Sequence, residues 1–92
     1  MRISVELSLY PMGGDTIDQI VEFIEDVIDD ERFESAVNQM STQLSGELED
    51  VMRVVTAAMR KSFTTGAKKV LVAKFLNIDL PVGEPPPLPG LR

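Results

Sequence analysis

Met40-Ser41-Thr42-Gln43-Leu44-Ser45-Gly46-Glu47 is the stretch on which the fold turns. Thr42 and Leu44 alternate with Gln43 and Ser45, the period of a short strand with one buried face. Gly46-Glu47 then opens a helix, where an acid suits the positive end of the dipole. The neighbouring hydroxyls of Ser41 and Thr42 can bond local backbone or a ligand. A hairpin followed by a helix start accounts for the same residues without any ligand.

Working upstream, Ile3, Val5, Leu7 and Leu9 alternate with Ser4, Glu6, Ser8 and Tyr10, which predicts a half-buried strand. Pro11 cannot donate to a ladder and ends it, and Gly13-Gly14 makes the turn. Asp15 is a good N-cap, followed by Ile17, Ile20, Val21, Ile24, Val27 and Ile28 at helical spacing. Between Asp15 and Glu31 stand eight acids and no base, a pattern that reads as a solvated helix face, with a cation site as the alternative. Asp29 and Asp30 oppose the dipole and should fray the last turn. Phe33 to Asn38 reads as a short second strand at a sheet edge. Gln39 to Ser41 would turn the chain into the third strand, Thr42 to Gly46.

Downstream, a second helix runs from about Glu47 to Phe63 on the stripe Leu48, Val51, Met52, Val55, Met59 and Phe63. Lys69 to Ile78 forms a fourth strand, apolar on both faces: Leu71, Ala73 and Phe75 on one, Val70, Val72 and Leu76 on the other. Such a strand in so small a protein needs a second cover, which another subunit would supply. Five of the six prolines lie between Pro81 and Pro89. Residues 1–80 therefore read as one domain and 81–92 as an extended, proline-rich tail, with Pro86 and Pro89 as a PxxP.

Ninety-two residues at 43% hydrophobic suit one small domain. Cysteine and histidine are absent, which excludes disulfides, thiolate nucleophiles, the usual zinc sites and every histidine-based triad. A chain without cysteine fits the cytoplasm. No apolar run approaches the roughly 20 residues that span a bilayer. Residues 1–46 hold ten acids and two bases, and the net charge is −6. An acidic chain without a basic stripe argues against nucleic acid and anionic membrane, and would tolerate a cationic small molecule.

The order β-α-β-β-α-β, with right-handed crossovers, is the α+β ferredoxin-like arrangement: an antiparallel sheet ordered 4-1-3-2 with both helices on one face. Ser4, Glu6 and Ser8 would face away from the helices, beside Gln43, Ser45, Val70, Val72, Lys74 and Leu76. That makeup suits a small-ligand pocket and equally a subunit interface. Glu6 and Lys74 either pair across adjacent strands or leave Glu6 for a ligand.

Ser8-Leu9-Tyr10-Pro11-Met12 resembles the "SLYPL" opening of the YkoF-like and related small thiamine-binding proteins. Met40-Ser41-Thr42 with Gly46-Glu47 resembles their "PMST…GE" segment, and Phe75-Leu76-Asn77 their closing "FSN". The resemblance covers about residues 2–78. It implies a ferredoxin-like fold, an oligomer built by packing sheets, and binding of thiamine or its hydroxymethylpyrimidine moiety, with no catalysis; no metal or cofactor is expected. Asn38-Gln39 stands where the family has "GP", Glu6 where it has glutamine, and Asn77-Ile78-Asp79-Leu80 where it has "NACP". The expected function is a non-catalytic thiamine-binding protein, a homodimer or homotetramer. In that reading Glu6 offsets the thiazolium charge or accepts from the aminopyrimidine. Ser8, Ser41, Thr42 and Asn77 supply hydrogen bonds, and Val72 and Leu76 supply walls. The alternative is a structural or regulatory oligomerisation module without a small ligand. Carboxylates are plentiful, but no motif places a second catalytic group beside one.

Overall fold

A computed structural model describes residues 1–88. The elements are β1 (Arg2–Pro11), α1 (Thr16–Ile28), β2 (Glu34–Val37), β3 (Thr42–Glu47), α2 (Leu48–Phe63) and β4 (Lys69–Leu76). The strands form one antiparallel sheet in the order β2-β3-β1-β4, the predicted 4-1-3-2 read from the other edge. Pro89, the second proline of the PxxP, lies outside the described residues.

Alternation along β1 decides what the sheet buries. Ile3, Val5, Leu7 and Leu9 face the helices and join Leu44, Phe23, Val27, Phe33, Val51, Val55 and Ala58 in the core. Gly46 permits one close approach within it. A Cβ built there would lie 2.6 Å from the Phe33 ring. The ring thus occupies the volume that any larger residue at position 46 would need.

α1 is capped as expected: the Asp18 backbone N–H donates to Asp15 Oδ1 at 3.2 Å. Its orientation differs from the predicted stripe. Phe23 and Val27 are buried, whereas Ile17, Val21 and Ile28 are exposed. Six apolar residues at i, i+3, i+4 spacing span more of the helix than a shallow contact with β1 can cover. Its acidic face is partly compensated, since Lys61 of α2 lies 3.5 Å from Glu22 and 3.1 Å from Asp26. The helix ends at Ile28, and beyond it Arg32 holds the Asp30 carboxyl down to about 2.

β4 stops at Leu76, two residues short of the predicted end. The chain then turns back across the face of the sheet that the helices leave open. The Ser4 hydroxyl donates to the Ile78 carbonyl at 2.7 Å and accepts from the Leu80 N–H at 2.8 Å. Asp79 accepts from the Ser45 hydroxyl at 2.5 Å and from Arg2 Nε at 2.8 Å. Ser4 and Ser45 are consequently buried, and Gly83 reaches Ala36 of β2. Residues 78–83 form a strap over one half of the open face. On the other half Tyr10, Val70 and Val72 remain exposed. Among the described residues no helix is long and apolar enough to cross a membrane.

Candidate functional site

The ladders along β1 end at different places. Pairing with β3 stops at Leu7↔Thr42, while pairing with β4 continues to Pro11↔Lys69. Beyond Leu7, β1 therefore has a strand partner on one side only. The β2–β3 turn stands on the vacant side and α1 lies above. A pocket of about 210 Å³ opens between them. Ser8 and Tyr10 come from β1, Asn38 through Ser41 from the turn, Thr42 from the start of β3, and Ile20, Phe23 and Ile24 from α1. None of its lining residues carries a charge.

The pocket combines an apolar floor with hydroxyls, amides and an unpaired strand edge. Ser8 Oγ donates to the Met40 carbonyl at 3.4 Å, a long bond that ties the two walls together. A flat polar ring suits this setting, because its faces meet apolar side chains while its edge meets donors and acceptors.

Ser41 connects the pocket to the open face. Its hydroxyl donates to Glu6 Oε2 at 3.0 Å and accepts from Gln43 Nε2 at 2.7 Å. Glu6 also pairs with Lys74 at 3.3 Å, across the predicted register. The Ser41 hydrogen bond first, then Lys74, hold the Glu6 carboxyl below its ordinary range, so it is ionised at neutral pH. Beside this row lies a shallow cleft of about 250 Å³, lined by Ser4, Glu6, Gln43, Lys74 and Leu76 and walled by Leu80 and Val82 of the strap. Leu76 is thus half-covered by its own chain.

Of the five residues singled out in the sequence, Ser8, Ser41 and Thr42 line the pocket. Thr42 is buried on the helix side beside Leu7. Glu6 is one hydrogen bond away, on the opposite face of the sheet. Asn77 is exposed, just past the Ser4↔Leu76 pair, whereas Ser8 pairs with Val72. At about 3.3 Å per residue, those two pairs are already about 13 Å apart. Sequence reasoning passed over Tyr10, Asn38, Gln39 and Met40 as lining residues. The signal was available in the strand order. Placing β3 beside β1 in antiparallel register brings Ser8-Leu9-Tyr10 next to the turn before Thr42. Among the described residues no group of three or more acidic side chains could hold a metal ion.

Residues 5–80 match the family described as Thiamine-binding protein. Among solved structures, a Streptococcus pneumoniae protein is 21% identical with a TM-score of 0.76, over 90% of this chain and 92% of its own. A Thermotoga maritima protein, provisionally named for thiamine biosynthesis or salvage, is 22% identical with a TM-score of 0.72, over 83% of each chain. A domain of unknown function from Bacillus cereus is 23% identical with a TM-score of 0.71, over 86% of this chain and 78% of its own. At these identities the likeness speaks for the fold. No curated protein matches the chain.

Proposed function

The chain belongs to the thiamine-binding protein family, and on that premise we propose that it binds thiamine or its hydroxymethylpyrimidine moiety without transforming it. The observation that carries this reading is the meeting of Ser8–Tyr10 with Met40–Thr42 around one uncharged pocket. These are the two segments whose residues resemble the family's motifs. A neutral pyrimidine ring fits a lining without charge, and the thiazolium cation would remain towards solvent. Ser8, Ser41 and Thr42 serve as polar contacts. Glu6 acts through Ser41, and Asn77 lies outside this contact set. The role in this reading is binding rather than catalysis, which the family's description supports. Such a protein works in the cytoplasm, where a cysteine-free chain is at no disadvantage.

The same reading includes a homodimer or homotetramer that covers Tyr10, Val70 and Val72, the half of the open face that the strap leaves bare. Burying an unpaired charge there should weaken association, so Val72→Glu should shift sedimentation towards monomer. A monomer at high micromolar concentration for the unmodified protein would refute the assembly.

Calorimetry tests the ligand. Both thiamine and hydroxymethylpyrimidine should bind between roughly 1 and 100 μM, about −8 to −5.5 kcal/mol. Similar affinities for the two are expected, since the pocket reads the ring. Absence of binding by either at millimolar concentration would leave the oligomerisation module as the better account.

A further inference from the structure

The wall that carries Met40 and Ser41 is a hairpin turn, and its chemistry is unusual. Val37↔Thr42 is the last pair of the β2–β3 ladder, and the Asn38 N–H donates to the Ser41 carbonyl at 3.1 Å just beyond it. Only Gln39 and Met40 remain to reverse the chain. Two-residue hairpin loops ordinarily use Asn-Gly or another glycine pair, because the favoured turns need positive φ. Here there is no glycine, and no residue other than glycine among those described has a positive φ. The turn must be held by something else.

The Asn38 carboxamide holds it. Its Oδ1 accepts from the Met40 N–H at 2.8 Å and from the Ser41 N–H at 3.1 Å. In a regular turn the Ser41 amide would donate to the main-chain carbonyl of residue 38. The side chain takes that place and gathers the Met40 amide as well, an Asx-type closure. Three consequences for the pocket follow from one atom. The Met40 carbonyl is presented to Ser8 Oγ. The Ser41 hydroxyl is presented to Glu6 and Gln43. Asn38, Gln39, Met40 and Ser41 are set as one side of the pocket.

From this we infer that Asn38 is a positioning residue of the ligand site, fixing the Gln39–Ser41 wall through its Oδ1 so that the pocket is formed before ligand arrives. The inference rests on the proposed binding role. Without the acceptor, a loop that lacks glycine samples conformations in which the wall is absent, and each binding event must restore it.

The test uses Asn38→Ala and Asn38→Asp in the full chain, with thiamine and hydroxymethylpyrimidine as probes. Asn38→Ala removes the acceptor. Asn38→Asp keeps an oxygen in the same place. Asn38→Ala should weaken both probes about tenfold while circular dichroism shows a folded protein at the assay temperature. Asn38→Asp should recover affinity to within about threefold of the unmodified protein, which a purely structural loss of packing would not do. Amide exchange of Met40 and Ser41, read by NMR without ligand, should accelerate in Asn38→Ala and remain slow in Asn38→Asp. Unchanged affinity in a folded Asn38→Ala protein overturns the positioning role. Unchanged exchange of both amides overturns it as well, even if the unmodified protein binds neither probe. Loss of all binding in the unmodified protein, with exchange still dependent on residue 38, would instead count against the thiamine reading.

Discussion

Gly46→Ala is the sharpest probe of the packing beneath the site. The added methyl carbon would stand 2.6 Å from Phe33 Cδ1, 3.2 Å from Phe33 Cε1 and 3.4 Å from Val51 Cγ2. Carbon atoms prefer about 3.5–4.0 Å, so the ring must retreat by about 1 Å. It has little freedom to do so. Phe33 lies one residue before β2 and carries the Arg32 guanidinium 5.8 Å from its centroid. Overpacking of this kind costs about 1–3 kcal/mol. Replacing a strand glycine returns about 0.5–1 kcal/mol of backbone entropy. At mid-range values the net loss is about 1 kcal/mol, or a melting temperature lower by about 4–8 °C for a domain of this size. Thermal and urea unfolding followed by circular dichroism measure it. Phe33→Leu in the same background should relieve the clash, so that the double variant is more stable than the sum of the single losses by about 1 kcal/mol. A Gly46→Ala protein as stable as the parent, or strict additivity with Phe33→Leu, would refute the claim that glycine is required by the ring.

Three further outcomes are expected. Glu6→Gln keeps an acceptor for Ser41 and loses only a pair whose side chains are 72% and 39% exposed, so affinities for thiamine and hydroxymethylpyrimidine should change alike and by less than about threefold. A tenfold loss confined to thiamine would put its cation against Glu6 instead. Ser4→Ala strands the Ile78 carbonyl and the Leu80 N–H, so unfolding free energy should fall by about 1–3 kcal/mol and limited proteolysis should begin within residues 77–84; a strap that stays protease-resistant contradicts its anchoring by Ser4. Asp30 should titrate near 2 by NMR and return towards its ordinary 3.8 in Arg32→Ala. Because its folded value lies below the ordinary one, its stabilising share is complete above about pH 4 and is lost as pH falls towards 2; an Asp30 midpoint unaffected by Arg32 would remove that pairing.

The fold was legible because its decisive signals are periodic. β1 alternates along its length, α2 carries a helical stripe of which Val51 and Val55 are buried while Met52 and Phe63 stay exposed and Ala58 joins the core instead, and the order of elements leaves few topologies. The strap was not legible, because nothing periodic marks it. It depends on Ser4, Ser45 and Asp79 meeting across the sheet, and each alone reads as an ordinary polar residue. α1 shows a different limit. Ile17 and Val21 satisfy helical spacing as well as Phe23 and Val27 do, yet only the second pair is buried, and spacing alone does not choose between them. The edge role of β2 was readable from its short, mixed composition, but the closure of its turn by Asn38 was not, because an asparagine before Gln-Met gives no hairpin signal.

The candidate site was half legible for a reason that lies in strand geometry. Alternation assigns each β1 residue to a face, and by that rule Glu6 and Ser8 belong together on the open side. The rule holds only while a strand is flanked on both sides. Past Leu7↔Thr42 the β3 neighbour is gone, and a side chain on either face can approach the vacant edge. Ser8 and Tyr10 therefore line a pocket that also contains Leu7, Leu9 and Phe23 from the helix side, while Glu6, two residues earlier and still flanked, does not line it. Whether a polar residue on β1 belongs to the site thus depends on where its neighbour strand ends as well as on its parity. Asn77 carries the same lesson from the other end, since it follows β4 where β1 is still paired with β3. A residue type suited to hydrogen bonding is common to all five positions. The unpaired edge of one strand is what gathers three of them, and it is set by the length of β3 and the turn that precedes it.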